Sequence, residues 1–175
     1  MNFFNKEHIK NSHRLLRWSL FGGAVYFFLI SFAHLFGLKI PILFIYFNVP
    51  SYIYQDNIIA FLSFGFGMFL YAGYASVKRN DLFITKYIII AGLGVILGLI
   101  NINSFTDFSS FESEFSVIIK VSHFWSETGI VIIYIAWIAL LYLSAVNSKK
   151  QKEKEVPKSF TEISHNEQKD FIKFR

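Results

Sequence analysis

Lys120, His123 and Glu127 stand three and four residues apart in the stretch KVSHFWSE. A helix places side chains at these spacings on one face. Imidazole changes charge near physiological pH, so a histidine one turn from a carboxylate has the parts of a proton relay. Ionisable groups in or beside a long apolar run need a partner, water or a function, because lipid solvates charge poorly. His34, Gln55 and Asp56 lie at the borders of two other apolar runs. The candidate polar cluster is therefore His34, Asp56, Lys120, His123 and Glu127, with Gln55 beside it.

Three chemistries fit such a set. A quinone site needs an apolar slot near a membrane interface, aromatic walls and groups that exchange protons with ring carbonyls. His123 and Glu127 supply the relay, and Phe124, Trp125 and the aromatic first loop supply walls. A haem or metal reading uses His34 and His123 as opposed ligands, or both with Glu127 as a two-histidine, one-carboxylate set. Neither run repeats a histidine one turn further on, so no metal site is assigned. The structural reading gives these residues no chemistry: Lys120 snorkels to headgroups, His34 sits at the interface, and Glu127 stitches its own helix to His123. His34 is then the best distant partner for Glu127.

Other classes lack their parts. The chain has no Cys, which excludes disulfides, thiolate metal sites and thiol redox chemistry. It carries no GxSxG elbow, Walker loop, dinucleotide fingerprint or HExxH motif. No motif assigns catalytic residues or a family, and no cofactor is predicted beyond quinone or haem as candidates. A transporter wants polar groups through the depth of the bundle. Beyond Ser63, Ser76 and Thr85, the inner halves of the runs offer almost none.

The positioning elements follow from composition. Of 175 residues 54% are hydrophobic and 19% aromatic, with 22 Phe. That excess over ordinary soluble domains points to lipid as the solvent. Four runs, at about 18–38, 58–77, 82–102 and 117–146, each approach or exceed the roughly 20 residues needed to cross a hydrocarbon core. The expected fold is all-α: a polytopic bundle of four transmembrane helices. Residues 39–56 hold an apolar stretch too short to cross, broken by Pro41 and Pro50, and read as an interfacial or re-entrant loop anchored by Tyr46, Tyr52 and Tyr54. Residues 103–116 read as the third loop. Residues 148–175 form a charged tail, partly disordered, with a weak amphipathic pattern near its end.

Charge sets the expected orientation. Lys6, Lys10, Arg14 and Arg17 precede the first run, Lys78 and Arg79 fill the second loop, and four lysines open the tail. The first loop holds only Lys39, and the third holds Asp107, Glu112 and Glu114 but no base. By the positive-inside rule both termini are cytoplasmic. This placement also turns the net charge of +5 away from nucleic acid, because the bases flank spans instead of forming one face. Ser31-Phe32-Ala33 imitates a cleavage site, but the long apolar region reads as a retained first span. The Phe, Ile, Asn and Lys bias suits an AT-rich bacterium and hence its inner membrane.

Small residues supply the expected packing contacts. Gly67 in the second span and the Gly94/Gly98 pair in the third are spaced for close helix approach in lipid. They serve the bundle itself, self-association or another subunit. The expected function is accordingly a non-enzymatic accessory or assembly subunit of a larger membrane complex. The rival is a redox-linked protein binding quinone or haem near the outer face through His34, His123 and Glu127.

Overall fold

The computed structural model describes residues 3–38, 40, 45–46, 49, 51–109 and 121–155, with side chains described between 11 and 150. Lys120 and the tail beyond 155 lie outside the described residues. Four long helices follow in order: α1 (Phe3–Leu35), α2 (Ile53–Lys78), α3 (Phe83–Phe105) and α4 (Val121–Glu155). Each contains a stretch long and apolar enough to span a membrane: Asn11–Leu35, Ile53–Lys78, Phe83–Phe105 and Val121–Lys150. The all-α four-helix architecture is the one that the apolar runs imply.

The surface suits lipid as the solvent. Phe61 is 76% exposed, Leu97 68%, Ile133 70% and Leu140 64%. Large apolar side chains this open, on three different helices, would aggregate in water.

The helices form a square in which α1 and α3 each pack on α2 and α4. Neighbours are antiparallel. Trp18 meets Tyr74 and Phe27 meets Phe66 across α1 and α2. Ser12 and Ser144 share a hydrogen bond of 2.9 Å across α1 and α4. Further along that pair, Trp137 Nε1–H donates to Ser19 Oγ at 3.0 Å and the Tyr134 hydroxyl to the Ser19 carbonyl at 3.1 Å. The described bases Arg14, Arg17, Lys78, Arg79, Lys86, Lys149 and Lys150 therefore gather at one end, called here the basic end.

Two turns of the same kind stop α1 and α2. Gly37 has φ +64° and Asn80 φ +59°. At the first, Leu38 N–H reaches the Ala33 carbonyl at 2.8 Å and Gly37 N–H the His34 carbonyl at 3.1 Å. At the second, Asp81 and Asn80 N–H groups reach Ser76 and Val77 carbonyls, both at 3.0 Å. These are the paired bonds of a Schellman end, which needs a left-handed residue that Gly or Asn adopts cheaply. The second turn makes α2 and α3 immediate antiparallel neighbours.

The larger core among the described residues lies in the basic half, and a smaller one, Phe108 and Phe124, lies at the other end. The larger core comprises Leu16, Leu20, Ala24, Leu70, Val77, Ile88, Ile138, Leu141 and Ala145, with Leu82 at its edge. Glycine makes it close. A Cβ at Gly67 would lie 2.8 Å from Phe28 Cε1, one at Gly73 would strike Ile88, and one at Gly92 would strike Ile135. Gly94 and Gly98 differ from the expectation. A Cβ on either meets no atom within 4 Å, so within this chain they hold no helices together and their ridge faces outward. The reason is rotational: Gly92 turns toward α4, and residues two and six further along an α-helix point away from that contact.

Candidate functional site

Away from the basic end the helices surround a cavity of about 840 Å³. Pockets that bind small molecules typically span about 300–1,000 Å³. Its body is apolar, with Phe27 and Ile30 from α1, Ile59 and Leu62 from α2, and Leu99 from α3, and Val131 of α4 also reaches it. Most polar lining groups lie at one end, where α1 finishes and α2 starts: His34, Ser51, Gln55 and Asp56, with Thr106 at the end of α3, while Ser63 lies two turns further along α2.

Local sequence places these groups. The Gly37 turn ends α1 one residue after His34, leaving the imidazole on the last helical turn. Helix α2 begins at Ile53, about a turn before the apolar run expected from 58, because Gln55 and Asp56 suit a first turn. The Gln55 amide oxygen accepts the Tyr52 N–H at 2.9 Å, satisfying a donor that the helix start leaves orphaned. Asp56 then lies in the first turn and His34 in the last turn of its neighbour. A carboxylate near the positive helix end and a base near the negative one is the favourable arrangement for both.

His34 Nδ1 and Asp56 Oδ1 are 3.0 Å apart, with side-chain exposures of 15% and 18%. Ser51 Oγ–H donates to the same carboxylate, 3.0 Å from Oδ1 and 3.1 Å from Oδ2. A carboxylate accepts only, so the contact sets the tautomer of a neutral His34 ring with its proton on Nδ1. Nε2 is then the acceptor nitrogen of the neutral ring and a donor in the protonated one.

A polar chain braces the loop that borders the cavity. The Tyr46 hydroxyl donates to Asn103 Oδ1 at 2.8 Å, Asn103 Nδ2–H to Thr128 Oγ1 at 3.0 Å, and the Thr128 hydroxyl to the Phe124 carbonyl at 2.8 Å. Loop, α3 and α4 are joined by one continuous set of bonds. The Tyr46 ring also packs on Phe108 and Phe124, with centroids 6.2 Å and 4.8 Å away. Burial pushes the Tyr46 hydroxyl up to about 12, so it remains a donor throughout the physiological range. Asn103 belongs to α3 and is 7% exposed, whereas its polarity had suggested the start of a loop. A buried amide whose partners come from two other elements looks like a loop residue in one dimension.

Of the expected cluster, His34 and Asp56 meet at the cavity. His123 and Glu127 pair with one another along α4, Nε2 to Oε1, at 3.9 Å, beyond hydrogen-bond length. The carboxylate that hydrogen-bonds His34 is Asp56, not Glu127 as expected. Lys120 lies outside the described residues. Among those described, no three His, Cys, Asp or Glu side chains come together as a metal-binding group. Ser51 was not singled out beforehand, and a serine five residues before an aspartate carries no signal until the chain turns between them.

The chain matches no protein-family model, and no curated protein or solved structure is similar to it.

Proposed function

We propose that this multi-pass membrane protein binds a lipid-soluble small molecule, its apolar body in the interhelical cavity and its polar head against His34 and Asp56. One observation carries the reading: an apolar cavity of about 840 Å³ most of whose polar lining is gathered at one end beside a hydrogen-bonded histidine–aspartate pair. A space of this shape accepts an amphipathic guest in one orientation. The quinone alternative that the sequence raises on His34, His123 and Glu127 thus keeps His34 and exchanges His123 and Glu127 for Asp56. With both termini cytoplasmic, as the charge alternation implies, the head lies near the outer face of a bacterial inner membrane.

The test is extraction. Protein purified in mild detergent should release a stoichiometric lipid-soluble compound into organic solvent, and Leu99→Trp, which fills the cavity from α3, should release much less. Equal release from a folded Leu99→Trp variant would overturn the reading.

A second reading, an accessory subunit of a larger complex, is favoured by the outward ridge of Gly94 and Gly98. An open glycine ridge in lipid is a surface on which another helix can lie closely. The two readings are compatible, since one uses the bundle interior and the other its exterior.

A further inference from the structure

We infer that the cavity selects an uncharged lipid of the quinone and quinol class and admits it sideways from the bilayer between α2 and α3. The inference rests on the cavity reading above and adds the class of ligand and its route.

Charge narrows the class first. Among the described lining residues there is no Lys or Arg, and Asp56 places a carboxylate at the polar end. With His34 neutral, a phospholipid phosphate or a fatty-acid carboxylate would bring a second negative charge beside Asp56 in a poorly solvated space, where like charges repel strongly. An uncharged head meets no such barrier. The polar end also offers both hydrogen-bonding senses. His34, the Ser51 hydroxyl and the Gln55 amide include donors for a ring carbonyl and acceptors for a ring hydroxyl. Oxidised and reduced forms of one headgroup can therefore be held by the same residues.

Shape narrows it further. Tyr26, Phe27, Tyr46 and Phe108 border the cavity, and aromatic faces and edges pack well on a flat ring. The volume suits a ring with a few isoprene units. A longer tail needs an exit, and the walls supply one. Ile58 and Leu62 of α2 line the cavity and are 53% and 63% exposed. Across from them Val95 of α3 lines it and is 39% exposed. Accessible walls on both helices are what a lateral opening between α2 and α3 requires. Helices α2 and α3 make the slightest contact of the four adjacent pairs, and their recorded close approach, at Gly73 and Ile88, is in the basic half. A molecule dissolved in the bilayer reaches the polar end along this opening without crossing water.

The experiment uses the full chain in phosphatidylcholine nanodiscs with decylubiquinone, decylubiquinol, oleate and phosphatidylglycerol as probes, and bound ligand counted by native mass spectrometry. The quinone and the quinol should bind about tenfold more tightly than oleate or phosphatidylglycerol. Leu62→Trp and, independently, Leu99→Phe should weaken quinone binding about tenfold. Asp56→Asn should raise oleate binding about tenfold in protein that remains folded, an outcome that a purely structural Asp56 would not give. Oleate or phosphatidylglycerol binding as tightly as quinone, in a manner sensitive to Leu62→Trp, would overturn the ligand class and leave the cavity reading standing. No binding of any probe, or binding indifferent to both cavity substitutions in folded protein, would overturn both.

Discussion

Asp81 shows how much a single exposed carboxylate does in this chain. It accepts the Phe83 N–H at 2.9 Å and the Ser76 hydroxyl at 3.1 Å, so it ties the end of α2 to the start of α3. The Phe83 bond first, then the Ser76 bond, and the positive charges of Lys149 and Arg79, hold its carboxyl below its ordinary value of 3.8. A depressed folded-state value stabilises the fold above the ordinary carboxylate range, and that contribution is lost as pH falls through the lowered value. Thermal unfolding in detergent, followed from about pH 6 to about pH 3, should therefore show a loss of stability at the acid end that is smaller in Asp81→Asn. An identical acid dependence in the two proteins would remove Asp81 from that role. Asp81 could be read from the sequence only as a turn residue. Its partner Ser76 is five positions away, and the distance closes only because Asn80 takes the left-handed conformation.

Helix packing separates glycines that look alike in the sequence. Gly92, Gly94 and Gly98 share one span and one residue type, and the Gly94/Gly98 spacing is the more recognisable pattern. The structure gives the close contact to Gly92, against Ile135 of α4. Gly92→Val should destabilise the bundle by about 1–3 kcal/mol through overpacking. Gly98→Val should stay within about 0.5 kcal/mol, because its Cβ enters open space. Denaturant unfolding of the isolated protein would measure both. Equal costs would mean that the ridge is packed within the chain after all. If the accessory reading holds, Gly98→Val should instead lose a co-purifying partner while the isolated chain remains stable. The spacing pattern was visible beforehand, but which face it occupied was not, since side-chain period says nothing about rotation about the helix axis.

Among the described residues the bundle is closed by its larger core at the basic end, and the cavity lies toward the other. Small residues and branched aliphatics fill the first half. In the second half the cavity lies among helices still joined in pairs, α1 to α2 by His34 and Asp56 and α3 to α4 by Asn103 and Thr128, and Tyr46 extends the second pair's bonds to the first loop. The same asymmetry appears in charge, with the described bases collected at the closed end. Reporter fusions at Asp107 and at Arg175 should accordingly report opposite sides of the membrane, the second cytoplasmic. Both on one side would break the four-span topology, and a reversed pair would invert the proposed orientation.

Four apolar helices in lipid were legible in the chain alone, because span length and hydropathy are local sums over some twenty consecutive residues. Turn positions were nearly so, since Gly37 and Asn80 are residues that tolerate a left-handed backbone. The partnership of His34 with Asp56 was not, and neither was the burial of Asn103 or the outward turn of Gly94 and Gly98. These depend on how far each helix rotates and where it stops. Rotation is set by contacts between side chains distant in sequence, such as Gly67 with Phe28 and Gly73 with Ile88, and no local pattern encodes it. The sequence therefore determined the solvent and the architecture, and the packing of the helices decided which polar residues became a site.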